Sequence, residues 1–390
     1  MLGLLLARAG IMVTVLEKHR DFFRDFRGDT IHPSTLDLLD QLGLGAEFDA
    51  TPHDTVTSLD VVLNGMRVTP VNFRLLLRGR RELALMPQWD FLNLLADAAR
   101  TLPHFTLIME ADATSLIRDG DRVTGVVATT PDGTLRVTAD LTIAADGRDS
   151  TVRAASGLTV TEFGVPIDVL WFRLPRPEVN PPDTLGYITQ KTMLVTIPRA
   201  DYYQTALLIP KDGFAAVKDA GLPELRDTVT GAAPFLAPSV GAVKSWDDVK
   251  LLSVQVNRLE RWYLPGFLCI GDAAHAMSPA FGVGINYAIQ DAVAAANLLV
   301  APLRAHAVTP ADLARVQKRR ARPAERMQRI QLILHNAIGK PGGGAILPSP
   351  LPLPVRILLK VVIPPARFFT ARLIGRGFRP ERISAEVLRG

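Results

Sequence analysis

The sequence has a single cysteine, Cys269, among 390 residues. One thiol can form neither an internal disulfide nor the paired-cysteine centre of a disulfide reductase, and it cannot build a cysteine zinc cluster. A chain that uses so little cysteine is typical of a reducing compartment, so we expect a cytoplasmic protein. The sequence shows neither a hydrolase triad nor another cluster with metal-ligand spacing, and no metal is expected.

Long apolar runs are also lacking. The longest apolar segments are interrupted by Pro, Arg or Lys before they reach the roughly 18 residues that span a bilayer. Hydrophobic residues make up 48% of the chain and charged residues only 21%, a composition that argues against disorder. The sequence therefore predicts a folded, soluble protein with one large α/β domain and a smaller second domain.

Acidic residues are scarce at one end of the chain. Residues 301–390 hold 17 Lys and Arg against 4 Asp and Glu, a net charge of +13, whereas residues 1–300 carry −8. The most basic stretch, KRRARPAERMQR (318–329), has no interleaved aromatic residue and no nucleic-acid motif, so nucleic acid is not an expected partner. A solvated helix face is the favoured interpretation, and attraction to an anionic cofactor or weak contact with a membrane surface is the alternative.

The first residues, MLGLLLARAGIMVTVLEKH (1–19), have the pattern of the second half of a βαβ unit. Apolar residues at helical spacing precede Gly10, which ends the helix, and a β-branched strand then closes on Glu17. In a dinucleotide-binding fold a carboxylate at this point accepts hydrogen bonds from the adenosine ribose. An acidic residue after a strand is by itself usually only a solvated loop residue, and the helix-Gly-strand context makes the two interpretations of Glu17 equally good.

Three further segments of the sequence have recognisable patterns. The segment HPSTLDLLDQLGL (32–44) predicts a helix capped by Ser34 or Thr35 and stopped by Gly43. Between about residues 160 and 262 the helical period fades and alternating segments predict an antiparallel sheet that would cover a ligand. The tail has a Pro-rich connector, LPSPLPLP (347–354), which we expect to be followed by short amphipathic helices.

Two stretches combine a buried strand with a sharp turn and a helix start. In AADGRDSTVR (144–153) the strand ends at Asp146, whose carboxylate can hold the backbone or a nucleotide hydroxyl. In CIGDAAHAMSPAFGVGIN (269–286) it ends at Asp272, and Gly282 and Gly284 allow close backbone approach before the next helix. Free N–H groups at such a helix start stabilise negative charge, as on the N1–C2=O side of a reduced flavin.

These stretches resemble the DG and GD motifs of the FAD-dependent aromatic hydroxylases of the para-hydroxybenzoate hydroxylase type, the group A flavoprotein monooxygenases. The resemblance spans nearly the whole chain to about residue 300. It implies an α/β fold in which an FAD-binding Rossmann-like parallel sheet of the glutathione reductase type carries a second, mostly antiparallel substrate domain and a C-terminal helical tail. The expected pieces are FAD-binding segments 1–58, 86–158 and 263–340, substrate-domain segments 59–85 and 159–262, and the tail 341–390.

The resemblance also implies roles for individual residues. Glu17 would bind the adenosine ribose, Arg27 the phosphate or ribose region, and Gln88 another part of FAD from a helix start. Asp272 would bind the ribityl or pyrophosphate part, and Pro279 would lie beside the flavin. The isoalloxazine would be lined by Gly282, Gly284, Ile285 and Asn286.

A few residues outside the cofactor site are candidates for substrate contact or proton transfer. The aromatic residues Trp171, Tyr202 and Tyr203 are candidate substrate contacts, with packing in the sheet core as the alternative. His275 is expected to be a buried structural histidine rather than a proton donor. The sequence identifies no catalytic side chain, because in this chemistry the protein supplies binding, orientation and water exclusion around the cofactor.

The function implied is that of a monooxygenase in which NADPH or NADH reduces FAD and O2 forms a C4a-hydroperoxyflavin that hydroxylates an aromatic or polycyclic small molecule. Two alternatives stay open: a flavin-dependent reductase of an isoprenoid or lipid substrate, and a truncated flavoprotein without turnover. A flavin halogenase is less favoured, because WFRLP (171–175) is only superficially similar to the tryptophan signature of that family. The sequence leaves the oligomeric state open.

The chain departs from the family at its start, where members carry a strand and a GxGxxG turn before the segment matching MLGLLLARAG. About 15 residues would make up that unit. Either Met1 is an internal methionine, which we favour, or the protein is truncated. Without that turn we expect weaker FAD binding and lower stability, since backbone N–H donors to the pyrophosphate and a sheet strand are lost.

Overall fold

The computed structural model describes residues 1–23, 30–177, 184–189, 192–199, 201–338 and 351–389. Its helices are α1 (Leu2–Arg8), α2 (Pro33–Leu42), α3 (Gly45–Ala50), α4 (Gln88–Arg100), α5 (Thr151–Ser156), α6 (Phe214–Ala232), α7 (Asp272–His275), α8 (Gly284–Arg304), α9 (Pro310–Ile338), α10 (Leu353–Arg376) and α11 (Ala385–Arg389). Its strands are β1 (Val13–Leu16), β2 (Thr30–Ile31), β3 (Asp54–Val56), β4 (Ser58–Leu63), β5 (Met66–Asn72), β6 (Leu83–Leu85), β7 (Phe105–Ile108), β8 (Asp112–Asp119), β9 (Arg122–Thr130), β10 (Gly133–Thr138), β11 (Thr142–Ala144), β12 (Val160–Phe163), β13 (Ile167–Pro175), β14 (Thr184–Ile188), β15 (Met193–Pro198), β16 (Tyr202–Pro210), β17 (Lys250–Leu252), β18 (Val256–Leu259), β19 (Tyr263–Leu264) and β20 (Phe267–Cys269).

The predicted helix-to-strand unit at the start of the chain is present. Helix α1 buries its leucines, Gly10 takes a φ of +76°, and β1 follows directly. Helix α2 ends as predicted at Gly43, whose φ is +78°. The predicted cap was wrong: His32 occupies the N-cap position without a side-chain cap, because Pro33 at the first helical position has no N–H to satisfy and a φ already suited to the helix.

Among the described residues three strand pairs are parallel, and one of them, β4 with β14, belongs to the larger sheet described below. Strand β1 pairs with β7, and β11 pairs with β20, which also binds the antiparallel β19. Residues of both β1 and β11 line one large cavity, described below. Cys269 ends β20 fully buried, and burial raises the pKa of its thiol to about 12, as expected of a small core residue.

A seven-stranded, mostly antiparallel sheet in the order β17-β13-β16-β15-β14-β4-β5 forms the predicted cover. Strands from residues 58–72 join those from residues 167–252, so sequence-distant segments build one layer. Helix α6 packs on this sheet although no helix was expected there. Gly221, with a φ of +90°, and Pro223 interrupt the helical period of α6, which explains why the pattern was missed.

Two long helices, α9 and α10, lie near the C-terminus. Helix α9 contains the basic stretch predicted to be a solvated face, and that expectation is partly wrong: Arg320 is only 1% exposed and forms buried ion pairs. Helix α10 continues through Pro364 and Pro365 as one 24-residue element, where shorter helices were expected.

Among the described residues, Ala280–Arg304 alone is long and apolar enough to cross a membrane, but 72% of its most apolar window is buried, as in the core helix of a soluble protein.

Candidate active site

One cavity among the described residues has a volume of about 2040 Å³. Its walls come from α1, β1, the β11–α5 turn, the β20–α7 turn, the loop before α8, the seven-stranded sheet, α9 and α10. A cavity of this size exceeds the 300–1,000 Å³ typical of a single small-ligand pocket, so it has room for a dinucleotide and a second molecule.

The two Asp-ended turns lie side by side in the cavity wall. Arg148 Nη2 is 3.4 Å from Asp272 Oδ2. Arg153 donates to the carbonyl oxygens of Ala273 and Arg148, at 3.1 and 2.6 Å, and so ties the two turns together. Arg148 Nη1 is buried and has no hydrogen-bond partner in the part of the chain that the structure describes. This leaves a cationic donor at the cavity wall beside a carboxylate.

The loop before α8 has an unusual backbone. Gly282 has a φ of +62°, and a Cβ there would lie 2.2 Å from Thr30 Oγ1, so glycine is required. Phe281 has a φ of +67° without being glycine, which costs energy and is often found at functional sites. Gly284 and Ile285 then start the 21-residue α8 at the cavity wall, where the first helical N–H groups have no intrahelical acceptor.

Asn286 differs from its expected role. Its side-chain Oδ1 accepts hydrogen bonds from His32 N at 3.0 Å and Thr35 Oγ1 at 2.7 Å. Its Nδ2 donates to the carbonyl oxygens of Thr30 and Gly282, both at 3.3 Å. The side chain therefore holds the loop in place, and Asn286 is not among the residues that line the cavity. Its backbone lies in the first turn of α8.

The other predicted cofactor residues are placed as follows. Glu17, Gln88, Asp272 and Pro279 line the cavity. Asp146 also lines it, but its carboxylate is occupied in its own turn, where it accepts from the Ser150 hydroxyl and from Val152 N. Arg27 lies outside the described residues.

The three aromatic candidates for substrate contact lie in different environments. Trp171 lines the cavity, and its Nε1 is buried with no acceptor among the described residues. Tyr203 is 3% exposed and packs on Phe235 in the core on the other side of the sheet, while Tyr202 lies against the guanidinium of Arg173. The packing alternative therefore fits Tyr203, whereas Tyr202 is partly buried and belongs neither to the cavity lining nor to a core cluster among the described residues.

Sequence reasoning missed Asp60 and His335. Both line the cavity and are buried, 6% and 2% exposed. Asp60 Oδ2 accepts from Arg67 Nε at 2.7 Å, whereas its Oδ1 has no donor in the described ranges. His335 Nε2 is 2.6 Å from Ser278 Oγ, and its Nδ1 lacks a partner among the residues described. Neither residue belongs to a recognisable motif, so only tertiary structure reveals them.

A buried ion network behind the Asp272 turn was also missed. Asp291 accepts from Gly271 N at 3.1 Å, contacts His275 Nε2 at 2.5 Å and accepts from Arg320 Nε at 3.0 Å. Burial opposes ionisation, but His275 and Arg320 together outweigh it and hold the pKa of Asp291 below its usual value. His275 therefore has the structural position expected of it. The sequence places His275 on α7 and Asp291 on α8, but their contact depends on the packing of the two helices.

Comparison with known proteins agrees with this arrangement. The sequence profile of the FAD binding domain family matches residues 1–330. The chain is 32% identical over 338 residues to 6-methylpretetramide 4-monooxygenase of Streptomyces rimosus, covering 85% of this chain and 80% of that protein.

Two solved structures share the fold. The probable FAD-dependent monooxygenase PqsL of Pseudomonas aeruginosa has a TM-score of 0.74 at 22% identity, over 87% of this chain and 93% of that one. The anhydrotetracycline hydroxylase OxyS of Streptomyces rimosus has a TM-score of 0.72 at 24% identity, over 96% and 72%. The predicted fold class is thereby confirmed. Because the profile and the relative each cover most of the sequence, this chain belongs to the FAD binding domain family and is an FAD-dependent oxidoreductase of the aromatic hydroxylase type.

Proposed function

We propose that this enzyme uses NADPH or NADH and O2 to hydroxylate a polycyclic aromatic molecule that carries oxygen substituents. The observation that carries the proposal is one continuous cavity with the cofactor-binding turns on one side and an apolar sheet with isolated polar atoms on the other. The 32% identity with an enzyme named for 6-methylpretetramide supports the polycyclic class. The cysteine content supports a cytoplasmic location.

The residues present fit FAD. The unpaired Arg148 Nη1 supplies a donor for a phosphate or ribityl oxygen, Asp272 accepts from a hydroxyl, and Glu17 can accept from the adenosine ribose. The first turn of α8, from Gly284, presents N–H groups that stabilise negative charge on the flavin ring. FAD, when bound, supplies electron transfer from NAD(P)H and the activation of O2.

On the substrate side of the cavity, a few polar atoms in an otherwise apolar wall select for substrates that can form hydrogen bonds with them. Leu59, Val61, Val169 and Val195 make contact with apolar ring edges, and Trp171 Nε1 donates to a ring oxygen. Asp60 Oδ1 accepts from a phenolic hydroxyl. Leaving such buried polar atoms unpaired costs about 1–3 kcal/mol each, so a molecule that lacks oxygen binds less well.

His335 holds a proton at a defined atom. Ser278 Oγ already accepts from Ala280 N at 3.1 Å, so its hydroxyl is best satisfied by donating to His335 Nε2. The ring then carries its proton on Nδ1, a buried donor without a partner among the described residues. Burial lowers the pKa of His335 to about 4, which keeps the ring neutral at working pH.

The test is turnover under isotopically labelled O2. Purified protein with added FAD and NADPH or NADH is given 6-methylpretetramide as a probe, and the products are analysed by mass spectrometry. The proposal predicts substrate-accelerated NAD(P)H oxidation and a product that gains one labelled oxygen atom. Reduction of a prenyl lipid without O2 uptake would instead support the isoprenoid reductase, and flavin binding without any accelerated oxidation would support a non-catalytic flavoprotein.

A further inference from the structure

Helix α10 carries the largest group of exposed apolar side chains in the described part of the chain. They are between 49% and 72% exposed: Leu353, Ile357, Leu358, Val361, Val362 and Phe369. At 100° per residue these positions fall within about half of the helix circumference. An apolar helix face of this size that stays exposed in a monomer marks an interaction site.

The same helix is basic throughout. It holds five Lys and Arg and no Asp or Glu between residues 353 and 376. The exposed Arg356 and Lys360 lie along one edge of the apolar face by their spacing, and Arg372 is exposed further along. Exposed apolar side chains next to exposed cations on one helix are the two features that membrane-surface helices use, apolar contact and attraction to negative headgroups.

A neighbouring loop extends the surface. Residues 74–81 expose Leu75 and Leu77, at 40% and 77%, together with three arginines, Arg74, Arg78 and Arg81. Arg376 at the end of α10 donates to the carbonyl oxygens of Arg78 and Arg80, so helix and loop are joined. Two elements therefore combine exposed leucines with clustered positive charge.

Residues 367–376 of α10 connect this surface to the rest of the fold. Arg367 Nε donates to Thr69 O at 2.8 Å, and the Thr370 hydroxyl donates to Pro70 O, both on β5. Thr370, Leu373 and Ile374 also line the large cavity. The exposed half of the helix is thus fixed relative to the candidate active site.

We propose that α10 and the 74–81 loop dock this enzyme on an anionic lipid surface. Negative headgroups complement the helix cations, and the apolar face enters the boundary between headgroups and acyl chains. A second copy of the chain is disfavoured as the occupant, because a two-fold pairing would bring the exposed cations of both copies, Arg356, Lys360 and Arg372, to the same interface. Docking places at the bilayer surface a helix that also lines the cavity with Thr370, Leu373 and Ile374.

The test is co-sedimentation of the full-length protein, with FAD added, on vesicles. One set contains equal parts phosphatidylglycerol and phosphatidylcholine, and the other contains phosphatidylcholine alone. We expect binding to the anionic set that weakens with added salt and is much weaker on the neutral set. The double variant Arg356→Gln/Lys360→Gln should lower the partition coefficient about fivefold for each charge removed.

Apolar variants and a control complete the design. Leu358→Ser/Val361→Ser should lower partitioning at least about tenfold, because two apolar side chains leave the interface. Leu251→Ser is the matched control, since Leu251 is 44% exposed on β17, at the opposite end of the sheet from β5, and should bind like the parent. Equal binding to both vesicle sets, or equal losses in the control, overturns the proposal. So does a shift in oligomeric state on gel filtration in α10 variants without any vesicle binding, which identifies a second copy as the partner.

Discussion

At the scale of single residues, the cavity is defined by a few polar atoms that the fold leaves unpaired. Arg148 Nη1 lies on the cofactor side, and Trp171 Nε1, Asp60 Oδ1 and His335 Nδ1 lie in the rest of the lining. Trp171 could be named from the sequence as a candidate, but nothing distinguished it from Tyr202 and Tyr203. Tyr203 is separated by the side of the strand that faces the cavity, and Tyr202 by its place at the end of the strand, and both depend on the register of the sheet.

Replacing Trp171 with phenylalanine removes the N–H donor and keeps most of the ring. We expect the KM for an oxygen-bearing polycyclic substrate to rise about tenfold, the loss expected for one hydrogen bond between neutral groups. Steady-state NAD(P)H oxidation measures it. FAD affinity serves as the control and should stay unchanged; a fall in FAD affinity with KM unaltered would contradict a role on the substrate side.

His32 makes stability depend on pH. Burial lowers its pKa from 6.5 to about 4, so the unfolded chain binds a proton between these values that the folded chain refuses. Stability therefore falls as the pH drops from about 6.5 towards 4, by up to about 3 kcal/mol for this residue. Urea unfolding at pH 7 and pH 5 measures the loss, which should be smaller in His32→Gln and unchanged in the exposed-site control His19→Gln.

At the scale of elements, the Asp272 turn and the start of α8 are held from behind. Gln331 Nε2 donates to the carbonyl oxygens of Ser278 and Ala280, both at 3.0 Å, while Asp291 binds Gly271 N. The strand, turn and helix were predictable from Gly-Asp and the following glycines. The hydrogen bonds that Arg320 and Gln331 of α9 make to these elements could not be predicted, because a basic stretch that contains Arg320 has the composition of a solvated helix face.

Gly282→Ala tests the loop before α8. A side chain at this positive φ costs about 1–2 kcal/mol, and the new Cβ would meet Thr30 Oγ1. We expect FAD affinity to fall about tenfold or more in a flavin fluorescence titration. Gly65→Ala is the matched control: its φ is +82° but no atom lies within 4 Å, so it should lose stability without losing FAD affinity.

Asp291→Asn tests the buried network. Arg320, only 1% exposed, would lose one of its two carboxylate partners and keep Glu381, and His275 would lose its carboxylate partner, which together we expect to cost about 3 kcal/mol in the free energy of unfolding. Asp97→Asn removes an exposed partner of Arg100 and should cost at most about 1 kcal/mol. Similar losses in both variants, measured by urea unfolding, would show that the network does not stabilise the fold.

At the scale of the whole molecule, one cavity collects residues from both ends of the chain. Glu17 and Gln88 come from the first hundred residues, Asp272 and Gly282 from the third, and His335 from α9. The α/β class and the antiparallel cover were predictable because strand periodicity and turn residues are local signals. Helix α6 and the exposed face of α10 were not, since Gly and Pro obscure the helical period and exposure depends on tertiary packing.

The central claim is that FAD binds between the Asp272 turn and the start of α8, and an FAD titration of the purified chain tests it most directly. Flavin fluorescence should saturate at one FAD per chain, and Arg148→Met should weaken binding about tenfold or more, because a charge-assisted hydrogen bond is lost. Asp97→Asn should bind FAD like the parent. Absence of saturable binding, or equal affinity in Arg148→Met and the parent, would contradict the account.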